Sequence, residues 1–195
     1  MKKIILTVAA VFAFSFANAQ DKKGGSEGFS KGDIYLAGTV QLTNQKQGDA
    51  KADGLTIAPG VGYMLTENLA IEGSLAYISS STDNGGGAVK DSGFGVGAGV
   101  NYYFTPADKF SLSLGAGLSY ATTKNDQTDV KVNTIGLSVP VGLNYFVSSN
   151  FALTAEWAGL SYTSAKADST GAEALNTIKI GGDMSALTFG LLYKL

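Results

Sequence analysis

Residues 93–104 read GFGVGAGVNYYF, and a glycine stands at every second position from Gly93 to Gly99. Strand side chains alternate between the two faces of a sheet, so Phe94, Val96 and Val100 share one face and the glycines share the other. A helix would instead repeat its apolar residues every three or four positions. The stretch therefore predicts a β-strand with one large apolar face and one small, weakly polar face.

The same alternation recurs along the chain and predicts eight strands. They are placed at residues 33–43, 55–65, 69–79, 93–104, 110–122, 133–146, 151–163 and 184–195. Short turns alternate with longer connections, which are placed at 44–54, 80–92, 123–132 and 164–183. A two-strand unit around each short turn repeats and ends in Tyr77, Tyr120 and Tyr162. The sequence thus predicts an all-β fold, an eight-stranded antiparallel up-and-down β-barrel.

The alternation slips in the seventh strand. Trp157 and Leu160 are three residues apart, yet both belong on the apolar face. One extra residue near Ala158 or Gly159 would bring them to the same side, so a β-bulge is predicted there.

The apolar face of this barrel can point inward, as in a soluble lipocalin, or outward to lipid. A soluble barrel would expose a surface of Gly, Ser and Ala, whereas water-facing strands usually carry charged residues. With the apolar face outside, the small residues instead fill the narrow lumen of eight strands. Strands of about 11 residues rise roughly 25–30 Å when tilted, enough for a transmembrane β-barrel. Aromatic residues beside the short turns predict an interfacial girdle: Tyr63, Tyr102, Phe104, Phe110, Tyr145, Phe151 and Tyr193.

The C-terminal residues 188–195, TFGLLYKL, place Phe189, Leu191, Tyr193 and Leu195 on one strand face. With this terminus the chain resembles the small porin-family outer-membrane β-barrels of Gram-negative bacteria, the eight-stranded type that includes OmpX-like proteins and the OmpA barrel domain. In that family the last strand is an assembly signal for the barrel-assembly machinery, and here Leu195 replaces the more usual Phe. The resemblance implies short turns and both chain ends in the periplasm, and long loops outside.

The N-terminal region has the pattern of a secretory signal peptide, with a basic start, an apolar run and a small-x-small site that ends at Ala19. Cleavage is predicted between Ala19 and Gln20. A membrane anchor is the alternative, but the run is shorter than the roughly 20 residues of a spanning helix. The predicted division is a signal peptide at 1–19, a flexible, Gly-rich periplasmic leader at 20–32 and the barrel at 33–195.

The composition argues against several kinds of chemistry. The sequence contains no histidine and no cysteine, and all of its 14 basic residues are lysines. It therefore lacks the residues of Ser-His-Asp or Cys-His nucleophile systems and of His/Cys metal sites. We predict a protein that is not an enzyme and uses no cofactor or metal. Without Lys2 and Lys3, 12 lysines face 16 acidic residues, a net charge near −4 that predicts no basic field for nucleic acid or anionic lipid.

Three charged residues fall on the small inner face, namely Glu72, Glu156 and Lys194. Because an unpaired buried carboxylate is expensive, each is expected to have a partner in a polar network that rigidifies the lumen. The alternative is a constriction that selects ions in a pore. A plugged lumen would also contain the large inward side chains Tyr35, Met64, Tyr103 and Phe146.

Two functions remain open at this point. The first is a structural or interaction protein of the cell envelope, with a plugged lumen and surface-exposed loops. The second is a narrow porin-like channel for small solutes or a path for apolar molecules. The predicted partners are outer-membrane lipid, the barrel-assembly machinery during biogenesis, and an envelope protein or extracellular ligand at the loops. We predict no nucleic acid partner, and a monomer.

Overall fold

The described chain forms one closed antiparallel sheet. The computed structural model describes residues 27–181 and 188–195. Its strands are β1 (Ile34–Gln47), β2 (Ala50–Met64), β3 (Leu69–Asp83), β4 (Ala88–Tyr103), β5 (Phe110–Asn125), β6 (Lys131–Phe146), β7 (Phe151–Ala167), β8 (Leu175–Ile180) and β9 (Thr188–Lys194). Strands β1 to β7 each pair with the next one along the chain.

The sheet closes where its two ends meet. Strand β9 pairs with β1, where Tyr35 lies opposite Lys194, and also with the lower part of β7, where Phe151 lies opposite Tyr193. Strand β8 pairs with the upper part of β7. Strands β8 and β9 therefore share the eighth position of the wall. The predicted eight-stranded antiparallel up-and-down barrel is confirmed.

The registers place the large apolar side chains on the outside of the barrel. On β4, Phe94 and Val96 are 72% and 54% exposed, while the alternate glycines face the lumen. Tyr35 and Phe146, by contrast, are fully buried inside. On β5 the outer face is mostly apolar from Phe110 to Tyr120, and ten tilted strand residues rise about 25 Å, the height of an outer-membrane apolar band. The outward assignment of the apolar face is therefore confirmed.

The strands continue further than their apolar alternation predicted. The connection expected at 44–54 is wrong, because β1 and β2 pair as far as Gln47 and Ala50. A two-residue turn joins them, and Gly48 takes a φ of 60° that such hairpin turns favour. The other predicted long connections shorten to residues 84–87, 126–130 and 168–174. The residues at these strand ends are mostly polar on both faces. The alternation of apolar and polar residues therefore stops there, although the backbone pairing between the strands continues.

The eighth strand also differs from its predicted position. Residues Leu175–Ile180 form β8, whereas the sequence pattern assigned them to a loop. The predicted strand at 184–195 is described from Thr188 onward as β9, and its first residues lie outside the described part of the chain.

The predicted bulge lies in β7. The register between β6 and β7 shifts between Val139 and Pro140, so that Pro140 lies opposite Ala158 and Val139 opposite Leu160. The extra residue brings Trp157 and Leu160 to the outer face, and the bulge prediction is confirmed.

Aromatic side chains mark both ends of the apolar band. The predicted girdle at the short turns includes Tyr63, Tyr102 and Phe110, all half exposed on the outside, and Tyr102 packs against Phe104 at 5.4 Å between ring centroids. A second outer group lies at the other end: Tyr77, Phe94, Tyr120 and Tyr162. Such paired girdles are typical of membrane barrels.

Candidate functional site

The lumen is closed at the end that carries the short turns. Phe29, which precedes β1, is fully buried and lies with its ring centroid 4.7 Å from Tyr103, 5.1 Å from Tyr35 and 5.0 Å from Phe146. We call the buried cluster around it the plug: Phe29, Tyr35, Met64, Ala70, Tyr103, Phe146, Ala152 and Leu192. The four large inward residues predicted for a plugged lumen all belong to it. The sequence pattern did not predict a role for Phe29, since a single aromatic residue in a Gly-rich leader has no periodicity.

The segment around Phe29 is held by backbone contacts. The Phe29 amide donates to the Pro106 carbonyl at 2.6 Å, and the Gly32 amide donates to the Met64 carbonyl at 2.9 Å. Gly28 has a φ of 117° and lies so close to the turn that a Cβ would be 2.4 Å from the Pro106 oxygen. Only glycine fits this position. The end of the predicted leader is therefore packed into the barrel, and residues 20–26 lie outside the described part of the chain.

Lys194 connects the plug to the barrel wall. Its side chain points inward, is 8% exposed and lies 3.4 Å from Asp33 Oδ2. Its Nζ also donates to the Gly28 carbonyl at 2.5 Å and lies 5.8 Å from the centre of the Phe146 ring. A buried ammonium requires such compensation. The residue predicted for a lumen network therefore joins the N-terminal segment to the last strand.

Glu72 is held by two tyrosines of the plug. Tyr35, Gly62 and Glu72 follow one another across β1, β2 and β3 on the inner face. The Tyr35 ring lies over Gly62, where a Cβ would be 2.1 Å from it, and its hydroxyl donates to Glu72 Oε1. The Tyr103 hydroxyl lies 3.4 Å from the same carboxylate oxygen. Gly62 thus lets a tyrosine cross a neighbouring strand and fix the carboxylate.

A water-accessible cavity of about 270 Å³ lies beyond the plug. Glu72 and Glu156 both line it, from strands that are four positions apart in an eight-position wall and therefore face each other. Glu156 is exposed although it points inward, so water reaches it inside the lumen. The structure brings two of the three predicted charged residues to one cavity, and the third to the plug. Opposed carboxylates in a wet lumen attract cations.

The rest of the cavity wall is small and polar. Inward serines and threonines lie beside inward glycines on the next strand, as Ser74 does beside Gly97 and Ser113 beside Gly142. Their hydroxyls occupy the space where a Cβ would be. In the described ranges, each buried side-chain nitrogen or oxygen atom has a hydrogen-bond partner. The glycine-rich inner face therefore packs hydroxyl groups closely around the cavity.

The residues of the predicted assembly signal lie on β9 at the barrel seam. Phe189 and Leu191 point to the outside and are 67% and 36% exposed. Tyr193 lies opposite Leu36 of β1, and the Leu195 amide donates to the Ile34 carbonyl at 2.9 Å. The predicted cleavage residues, Ala19 and Gln20, lie outside the described residues.

Two negative findings apply to residues 27–181 and 188–195. No group of three or more His, Cys, Asp or Glu side chains is arranged to hold a metal ion there. No helix there is long and apolar enough to cross a membrane.

A closed sheet with a lipid-facing apolar band, two aromatic girdles and a small polar lumen defines an integral β-barrel of the outer-membrane class. The family model "Outer membrane protein beta-barrel domain" matches residues 6–194, and the chain belongs to this family. It is a protein of the Gram-negative outer membrane and lies in its lipid bilayer.

Solved structures share the fold. OprG of Pseudomonas aeruginosa is 16% identical with a TM-score of 0.57, and the alignment covers 87% of this chain and 98% of OprG. The outer membrane protein AlkL, determined in lipid bilayers, is 13% identical with a TM-score of 0.51, covering 90% of this chain and 96% of AlkL. No curated protein matches the sequence significantly.

Proposed function

We propose that the protein is a non-conducting structural and interaction protein of the outer membrane, which presents its strand extensions and loops to the outside. The observation that carries this proposal is the plug. Fully buried aromatic rings, joined by Phe29 from outside the strands, fill the lumen at the short-turn end. Ions cannot follow a path through close-packed side chains without displacing them.

The protein acts without enzymatic chemistry in this proposal. The two carboxylates in the lumen face each other across a narrow cavity lined by hydroxyl groups and glycines, and the described residues supply no histidine or cysteine to act with them. The outward residues Phe189, Leu191, Tyr193 and Leu195 would serve the barrel-assembly machinery during insertion. Once closed, the barrel would work as a monomer, since its strands pair within one chain.

A pore for small solutes is the second candidate, and the cavity with Glu72 and Glu156 favours it. Opening such a pore requires the plug to move. In that case the two carboxylates would form the cation-selective part of the path, and neutralising either one would lower the cation preference.

Single-channel conductance of refolded residues 20–195 in a planar bilayer separates the two candidates. We expect a silent wild-type barrel and brief steps from Phe29→Ala/Phe146→Ala, which removes two rings from the plug. The matched control is Phe94→Ala/Phe110→Ala, which removes two lipid-facing rings and should stay silent. Reproducible wild-type steps whose cation preference falls in Glu72→Gln or Glu156→Gln would contradict the proposal and establish the pore.

A further inference from the structure

Two buried polar side chains on the lumen wall have no hydrogen-bond partner among the described residues. Asn144 of β6 and Ser113 of β5 are only 5% and 8% exposed, and both line the cavity beyond the plug. Every fully enclosed polar side-chain atom in the described ranges has a partner, so the Asn144 amide and the Ser113 hydroxyl are reached from the cavity. Buried polar groups need hydrogen-bond partners, and a partner for these two can come only from the cavity.

The strand registers place a carboxylate beside these two groups. Ser113 lies opposite Gly142, and Gly142 lies opposite Glu156, so the three follow one another across β5, β6 and β7. Gly142 has no side chain to separate the hydroxyl from the carboxylate, and a Cβ there would collide with Ser113 Oγ. Asn144 stands two residues from Gly142 on the same inner face. An amide, a hydroxyl and a carboxylate therefore form one continuous patch of the cavity wall.

The cavity carries negative charge that no described lysine neutralises. Glu72 faces the patch from the opposite wall, and the hydroxyls of Tyr35 and Tyr103 bond its carboxylate without supplying a positive charge. No described residue forms an ion pair with Glu156, and the described cavity wall contains no lysine. Charges taken out of bulk water are costly unless they are paired. The two carboxylates therefore favour a cation between them.

The dimensions favour an organic cation over a metal ion. The cavity of about 270 Å³ is far larger than an ion, and the described residues offer no group of three or more acidic side chains arranged to hold a metal. Pockets for drug-sized ligands measure roughly 300–1,000 Å³, so this one fits a molecule of a few heavy atoms. The plug closes one end of the lumen, and the ligand enters from the other, where Thr56, Thr134 and Thr163 line the wall half-buried.

We propose that this cavity binds a small organic dication from outside the cell, a short chain with an ammonium group at each end. One ammonium group pairs with Glu156 and donates to the Asn144 side-chain oxygen, while Ser113 provides a further acceptor. The other ammonium group pairs with Glu72. The inference rests on the proposed closed lumen, and it gives that lumen a role as a blind binding site.

The test is isothermal titration calorimetry of 1,4-diaminobutane into refolded residues 20–195 in micelles of an uncharged detergent. We expect saturable binding. Losing one hydrogen bond to a charged group weakens binding about 10- to 100-fold, so 1-aminobutane should bind the wild-type barrel that much more weakly. Glu156→Gln keeps the shape of the side chain and should weaken the diamine by a similar factor. The matched control, Glu173→Gln, removes the same charge from an exposed loop residue and should leave the affinity unchanged.

Four results would overturn the inference. They are the absence of saturable binding, equal affinity for the two amines, equal losses in Glu156→Gln and Glu173→Gln, and displacement of the diamine by Mg²⁺ at equal concentration, which would identify a general cation site. The comparison of the two amines uses only the wild-type barrel, so it does not depend on the folding of a variant.

Channel recordings distinguish failure of this inference from failure of the proposed function. A wild-type barrel that conducts and still binds the diamine would refute only the non-conducting barrel. A silent barrel that binds no diamine would refute only the binding site.

Discussion

Neutralising Asp33 tests whether the pair of Asp33 and Lys194 stabilises the closed barrel. Asp33→Asn keeps the shape of the side chain and an oxygen that can accept from the Ser30 amide, now 2.8 Å away. It leaves the Lys194 ammonium 8% exposed beside a neutral amide. Removing one partner of a buried ion pair costs about 3–5 kcal/mol. Since Asp33 is 24% exposed and water screens it in part, we expect a loss of about 2–4 kcal/mol in the free energy of unfolding.

A double-mutant cycle isolates the interaction itself. Lys194→Met replaces the ammonium with an apolar side chain that fits the plug, and the double variant removes both charges. Two charges 3.4 Å apart interact by about 5 kcal/mol at an effective dielectric constant near 20. Measured couplings between contacting residues run from about 0.5 to 3 kcal/mol. We expect a coupling of about 2 kcal/mol.

The assay is urea unfolding of the refolded barrel in detergent, followed by far-UV circular dichroism and by the mobility of the folded form in unheated gels. The control is the ion pair between Lys124 and Asp129. Its Nζ and Oδ1 atoms are 2.6 Å apart, but its side chains are 48% and 79% exposed. An exposed pair of this kind contributes little. A coupling between Asp33 and Lys194 that is no larger than the coupling of the control pair would refute the reasoning.

Two glycine substitutions test the packing of the plug end. Gly28→Ala should release the N-terminal segment, because its φ of 117° and the 2.4 Å approach to the Pro106 oxygen leave no space. Trypsin would then cleave after Lys31 at least tenfold faster, as mass spectrometry would show, and unchanged cleavage would contradict the packing. Gly62→Ala should displace the Tyr35 ring and lower the free energy of unfolding by about 1–3 kcal/mol. Gly73→Ala, which has open space around its Cβ, should leave urea unfolding unchanged, and equal losses would count against the argument.

The barrel wall could be predicted from sequence because the membrane imposes a simple rule on it. The side chains of each spanning strand must point alternately to lipid and to a narrow lumen. The glycines of β4 therefore mark the lumen face, and the tyrosines of the girdles mark the lipid face. The bulge was predictable for the same reason, since Trp157 and Leu160 both belong in lipid. Outside the apolar band this rule ends. The extensions of β1 and β2 are polar on both faces, and the pattern gave no reason to continue them.

The contents of the lumen were predicted in part. Parity along each strand places Glu72, Glu156 and Lys194 inside. The alternation does not show the partners of these residues. The partners lie on other parts of the chain, and the strand register decides which of them come to the same level of the barrel. Lys194 pairs with Asp33, which stands just before β1.

The bond between Lys194 and the Gly28 carbonyl joins positions 166 residues apart, and the pairing of β9 with β1 spans the chain in the same way. Contacts between such distant residues form slowly, because the entropy of closing a long loop is lost before the contact is gained. Until they form, β1 and β9 are open edges that can pair with another chain. Substitutions at this seam are therefore expected to change the refolding rate and the amount of aggregate, even where the finished barrel tolerates them.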